Sequence, residues 1–297
     1  MNAFTRRWAA PTFVLSALAL AQPIAVAAAE QSPEVGYVED LPQVGLADVI
    51  VRAGGNVPLE LLAPIHNGDT FTLGDPKAKV VLRLAGRADP VVVSQENKGD
   101  KIDASPPTRG YFIGLLSWVG SSIVIFDKGE RMEMTAAIRG DGGDTLSAPM
   151  LQAPQVLAAG RRPIAVGWLT PDVISIRFSM GGKTMAEGKG VGGLWVSPEL
   201  ELRPGRYVLS LKGPDGAISE DITVADAAYF PAPPADLTRT DIPGALGETA
   251  EGVWFASQGK QYLLEALQHV AAHSDDFKPA GILVDALIAG RQPSLPP

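Results

Sequence analysis

Not one of the 297 residues is a cysteine. Disulfides, thiolate metal sites, a cysteine nucleophile and a lipoprotein-type lipid anchor are therefore excluded, and the fold has to rest on its hydrophobic core. Positive charge is in short supply too: 25 Lys and Arg stand against 33 Asp and Glu, a formal net charge of -8. Nucleic acid and anionic lipid surfaces both demand a positive footprint, so the balance points away from both. Long apolar runs are scarce. Beyond the first thirty or so residues only Tyr111–Phe126 is long and uncharged, and it contains two Gly and three Ser. It falls short of the ~20 residues a spanning helix needs. A short buried helix followed by a buried strand is expected there, and no membrane span in the mature chain.

What is present begins with an address. Arg6 and Arg7 form a positive n-region, Phe13 to Leu20 an apolar h-region, and Ala27, Ala28 and Ala29 supply small residues before Glu30. Residues 1–29 read as a secretory signal peptide cleaved near Ala29, which predicts a periplasmic or secreted protein of the bacterial envelope. Cleavage removes only those two charges and takes the net charge to about -10. Gly and Pro together make up about 19% of the chain and are scattered as turn punctuation, which points to many short strands.

Residues 30–47 are polar and read as a flexible lead-in. From Asp48 to residue 148 short strands are expected at 48–52, 59–65, 70–73, 79–84 and 90–94, with Ala53–Asn56 and His66-Asn-Gly-Asp69 as turns. Residues 97–110 read as a polar loop, 122–126 and 131–138 as strands, and 139–144 as a second loop. Residues 149–226 form a separate β unit, with strands at 162–168, 173–178, 192–196, 202–211 and 218–224. Within it Tyr207, Leu209 and Leu211 share one face by period two, after a Pro204-Gly205 corner. A Pro-rich linker over 227–243 then leads to a helical cap over 244–297. There Leu263, Ala266, Leu267 and Val270 recur at helical spacing, as do Ile282, Leu283, Ala286 and Leu287, and Gly290 stops the last helix. The expected fold class is mainly β with a small α-helical C-terminal region, built as two β-sandwich or barrel-like units.

Two segments carry resemblances. Asn67-Gly-Asp-Thr-Phe-Thr-Leu73 and Lys77-Ala-Lys-Val-Val-Leu-Arg-Leu84 place a Gly-Asp turn and a strand before an alternating strand. Over about residues 48–98 this resembles the FecR-type β domain of bacterial envelope proteins, known from regulators that relay an outer-membrane signal to a cytoplasmic partner. The resemblance implies a small all-β periplasmic module. That relay form has a membrane helix where this chain has a cleavable signal, so a direct relay across the inner membrane is not expected. The Leu202-x-Pro-Gly-x-Tyr-x-Leu-x-Leu211 hairpin is similar to the last hairpin of Ig-like or transthyretin-like accessory sandwiches. Trp254, Tyr262 and Ala266 give the C-terminal helices a slight likeness to a TPR-type hairpin.

Candidate chemistry is sparse. His269 and His273 stand i,i+4, a spacing competent for metal, with Asp275 or Asp276 as a conceivable third ligand. Val270 replaces the Glu of a hydrolytic HExxH site, and an exposed helix end with cationic histidines is the plainer reading. His66 sits in a turn with Asp69 able to orient its imidazole, but no nucleophile motif accompanies it. Asp141 and Asp144 on a Gly-rich loop suit calcium but lack further ligands. Gly181-Gly182 and Gly188-Lys-Gly-Val-Gly-Gly193 lack the pattern and following helix of a phosphate loop, and read as hairpin turns. Trp118, Trp168, Trp195 and Trp254 are candidates for a binding face, with core packing expected of Trp168 and Trp195. No catalytic residue and no cofactor is therefore expected. The favoured function is a non-catalytic exported β-domain protein that binds another envelope protein in a signalling or scaffold system. A hydrolytic or metal-dependent enzyme and a module that binds cell-wall carbohydrate through exposed Trp are the alternatives.

Overall fold

The computed structural model describes residues 32–41, 48–53, 55–85, 87, 89–104, 119–123, 146–170, 172–235, 237 and 244–293. The expected signal peptide, Trp118, the strand at 131–138 and the Asp141–Asp144 loop lie outside the described residues. So do parts of the loop at 97–110 and of the Pro-rich linker.

The first β region holds seven strands: β1 Glu34–Asp40, β2 Val49–Arg52, β3 Gly55–Pro58, β4 Pro64–His66, β5 Thr70–Thr72, β6 Val80–Leu84 and β7 Val91–Val93. They form a four-stranded sheet in the order β4-β1-β6-β7 and a three-stranded sheet in the order β3-β2-β5. The alternation of Val80, Leu82 and Leu84 inward against Val81 and Arg83 outward follows the pleat. The lead-in expectation is corrected here. Glu34–Asp40 is a central strand whose first five residues are all buried, because both of its faces are covered and no polar alternation survives. It packs so closely on β6 that a Cβ on Gly36 would lie 2.2 Å from the Arg83 carbonyl. The strand expected at 59–65 shrinks to β4, since Leu61 and Leu62 form a buried turn with Leu62 at φ 60°. Ser122 and Ile123, expected in a strand, are helical, as are all of residues 119–123.

The second β region has nine strands: β8 Gln155–Ala158, β9 Gly160–Arg162, β10 Ala165–Gly167, β11 Ile174–Met180, β12 Lys183–Gly190, β13 Leu194–Val196, β14 Leu200–Leu202, β15 Gly205–Lys212 and β16 Ala217–Ala225. Its main sheet has the order β12-β11-β15-β16-β8, and β10-β13 and β14-β9 make two-stranded ribbons. β8 joins β16 in parallel, and the other pairings are antiparallel. Ile174, Ile176, Phe178, Tyr207, Leu209, Leu211, Ile222 and Val224 are buried on the inner face. Phe178 stacks on Tyr207 with ring centroids 4.9 Å apart. The Tyr207 hydroxyl donates to the Arg203 carbonyl at 3.1 Å and accepts from the Arg203 N–H at 3.0 Å. This is the tyrosine corner found in Greek-key β-sandwiches, and it fixes the turn that Pro204 and Gly205 begin. None of the described sheets closes into a barrel.

Three helices follow: α1 Gly244–Ser257, α2 Leu263–Val270 and α3 Lys278–Ile288. Pro279 suits the first turn of α3, where an N–H has no helical partner. Gly290 at φ 72° ends it, with the Arg291 N–H reaching back to the Ala286 carbonyl at 2.9 Å. The helices touch both β regions. Lys278 on α3 pairs with Asp40 at 2.9 Å and donates to the Leu41 carbonyl, while α2 docks on β8 and β10. From Ser32 onward the chain is one compact unit. No described helix is long and apolar enough to cross a membrane.

Candidate functional site

The i,i+4 histidines do not converge. α2 ends at Val270, and Ala271–His273 tightens into a 3-10 turn that changes the angular phase of His273. His269 places Nδ1 3.1 Å from Glu251 Oε2 and Nε2 3.5 Å from Glu265 Oε1, and its ring stacks on Phe255. His273 instead points Nε2 at Glu248, 3.0 Å away. Asp275 and Asp276 line a separate cleft with Glu39, Asp40, Lys278 and Asp285. Among the described residues no three His, Asp or Glu side chains gather as a metal site. The expected exposed helix end is also corrected: the His269 side chain is only 21% exposed.

His269 belongs to a buried seam between α2 and the second β region. Glu265, 3% exposed at its side chain, takes both guanidinium nitrogens of Arg162 from β9 and the Ala158 N–H of β8 at 2.9 Å. Burial alone raises a carboxyl pKa, but hydrogen bonds from Arg162 and Ala158 and the neighbouring His269 ring outweigh it and hold Glu265 at about 2. Burial likewise opposes the imidazolium of His269, yet Glu251 and Glu265 hold its pKa at about 9. Gln155 extends the seam by accepting from the Leu264 N–H and donating to the Lys260 carbonyl, each at 3.0 Å. These charges act as ties between elements. The i,i+4 pair Glu265 and His269 is the sequence signal for the seam, and it is easily missed beside the pair of histidines.

His66 and Asp69 also serve the fold. Asp69 accepts from Arg52 at 2.9 and 2.7 Å and from the His66 N–H at 2.8 Å, so it caps its own turn. It does not orient the imidazole, whose Nδ1 lies 2.5 Å from the Ser32 carbonyl. Next to His66 across the β1–β4 pairing, Glu34 is 7% exposed and neither carboxyl oxygen has a hydrogen-bond partner among the described residues. Burial pushes its pKa up to about 7 against the pull of Arg52.

The glycine segments divide. Gly181-Gly182 and Gly192-Gly193 are turns at positive φ, whereas Gly188 and Gly190 lie inside β12. Neither has room for a side chain: a Cβ at Gly190 would meet the Trp168 ring at 2.3 Å, and one at Gly188 would meet Trp195 at 2.5 Å. Trp168 is fully buried, and Trp195 and Trp254 pack against the core.

One surface remains unspent, the outer face of the five-stranded sheet. Strand pairing aligns its outward residues in rows. Lys189, Ser175, Lys212 and Ala217 form one row, and Glu187, Arg177, Ser210 and Ser219 the next. Val173 and Val191, both more than half exposed, stand just past the ends of β11 and β12 next to Ser175 and Lys189. Between the long side chains the small residues leave a groove of about 620 Å³, lined by Ser175, Arg177, Glu187, Lys189, Ser210 and Lys212. Its volume falls in the ~300–1,000 Å³ range of small-ligand sites. Arg177 lies 3.8 Å from Glu187, but Lys189 and Lys212 have no carboxylate partner among the described residues. Sequence reasoning missed this row, since β12 reads as turns and only the register brings its lysine beside Ser175.

No family model matches the chain, and no curated protein does. Solved structures with local likeness include the Porphyromonas gingivalis Arg-specific cysteine proteinase gingipain R, at 15% identity and a TM-score of 0.21 over 27% of this chain and 18% of that one. An Ig complex of titin M10 and obscurin-like 1 aligns at 20% identity and a TM-score of 0.18, over 28% and 89% of the two chains. Domains 4 and 5 of the S-layer protein SbsC align at 10% identity and a TM-score of 0.19, over 61% and 72%. The chain thus spans less than a fifth of the gingipain it resembles, and likenesses of this size carry no functional argument.

Proposed function

We propose that the mature chain is a non-catalytic module of the bacterial envelope that binds another envelope component through the outer face of its five-stranded sheet. The observation that carries this reading is the grooved face itself, where Lys189 and Lys212 flank Ser175 without carboxylate partners among the described residues. Elsewhere His269 and Asp69, both singled out in the sequence, hold elements together. His269 ties α2 to α1, and Asp69 ties its turn to Arg52. The reading of residues 1–29 as a cleaved signal supports an envelope location. The tyrosine corner at Tyr207 supports an Ig-like accessory sandwich over residues 149–226, and the FecR-type likeness of residues 48–98 supports work beside a signalling or scaffold assembly.

The test is photo-crosslinking in intact cells. A photoreactive residue at position 210, in the groove, is compared with one at Asp103, exposed in the first β region. A discrete adduct from position 210, absent at 103, is the expected result. Equal labelling at both positions, or none at 210, overturns the reading.

A further inference from the structure

The outer face presents three kinds of side chain in a fixed order, and that order points to a class of ligand. Two ammonium groups stand on either side of a serine hydroxyl. Adjacent strands lie ~4.8 Å apart, so Lys189 and Lys212 are anchored ~10 Å from each other with Ser175 midway. Long lysine stems are able to span that gap, so a compact oxyanion seated over the hydroxyl is within reach of two cations and one donor. Along the sheet from this row, Ser210 and Ser219 add hydroxyls whose oxygens are 3.4 Å apart. In the other direction Val173 and Val191 offer a small apolar step. Hydroxyls of this kind both donate and accept, as sugar hydroxyls do, and an aliphatic step suits the C–H face of a pyranose.

We infer that this face binds an acidic glycan, seating one anionic group over Ser175 between Lys189 and Lys212 and laying neighbouring sugar along Ser210 and Ser219. The inference rests on the binding-module reading above and names the ligand class for the same face. The net negative charge of the chain repels polyanions at long range, so recognition has to come from this local row. Glu187 leaves Arg177 partly neutralised, which assigns the anion to the lysine row. Ser175, Lys189 and Lys212 are all exposed, so the row needs no rearrangement to receive a ligand.

The experiment uses the purified full-length mature chain and an end-labelled oligogalacturonate, followed by fluorescence anisotropy. Maltodextrin serves as the neutral glycan and polyglutamate as an acidic chain without sugar. Wild type is expected to bind oligogalacturonate and to weaken several-fold between about 50 and 200 mM salt. The K189Q/K212Q variant should lose about tenfold or more, Ser175→Val about threefold, and K101Q/K260Q less than twofold. Circular dichroism and thermal melting confirm that each variant is folded. Binding of maltodextrin as tight as that of oligogalacturonate overturns the inference, as do equal losses in K101Q/K260Q or no binding at all. Polyglutamate binding as tightly overturns it in favour of a protein partner. Failure here with a position-210 crosslink intact leaves the binding-module reading standing, and loss of that crosslink removes both.

Discussion

The start of β1 and the seam between α2 and β9 each bury a glutamate, and the two carboxyls are held in opposite states. Glu34 is sealed beside the β1–β4 pairing with no hydrogen-bond partner on either oxygen among the described residues, and burial drives its pKa up to about 7. Glu265 is buried at least as deeply but is gripped by Arg162, His269 and a backbone N–H, which hold it at about 2. The desolvation penalty acts in the same direction at both places. Hydrogen-bonded cations decide the outcome, so burial by itself says little about charge. The first β region stores an unmet carboxyl, where helix α2 uses its own as a fastener to the second.

Breaking the fastener should give the largest effect. Arg162→Met strips buried Glu265 of its two-pronged guanidinium partner and should cost about 3 kcal/mol in urea unfolding at neutral pH, with R162M/E265L recovering part of the loss. A cost below about 1 kcal/mol dissolves the contrast. Next comes Glu34. Its folded pKa lies above the unfolded value, so the native state keeps the proton to higher pH. Stability should therefore fall between about pH 4.5 and 7 and level off above. Glu34→Gln should match wild type near pH 4 and exceed it by about 2 kcal/mol at pH 8; parallel pH profiles for the two proteins contradict the assignment.

His269 sharpens the same contrast from the alkaline side. Its raised pKa means that its contribution is complete below about 6.5 and disappears as pH climbs through about 9. His269→Gln should remove that slope and cost about 1–2 kcal/mol at pH 6, read from denaturation midpoints across the range. The smallest effect concerns metal. His269 and His273 address different carboxylates, so added zinc should shift the melting temperature by less than about 1 °C in wild type and in His273→Ala alike. A zinc-dependent rise of several degrees in wild type alone reopens the metal site.

The sequence was most legible where one periodicity ran undisturbed. Tyr207, Leu209 and Leu211 announced β15, and Leu263, Leu267 and Val270 announced α2, because one face is buried and the other is wet. β1 hid for the opposite reason. Both of its faces are covered, so Glu-Val-Gly-Tyr-Val has no wet side to mark the pleat. In β12 two glycines stand inward under tryptophan rings, which removes the apolar residues that normally reveal a strand. The candidate site was illegible even in principle from local pattern. Ser175, Lys189 and Lys212 sit on three strands, and only the pairing register makes them neighbours.

The parallel pairing of β8 with β16 also sets an order of events. A chain that emerges from its N-terminus exposes β8 long before its sheet partner exists, and β16 closes only after seven intervening strands of that sheet and its ribbons are laid down. Even then Ala158 awaits Glu265, 107 residues downstream. Such distant closures lengthen the time to a finished fold and leave a bare strand edge exposed meanwhile. β8 is thus a segment whose edge stays bare until both of its partners have been made.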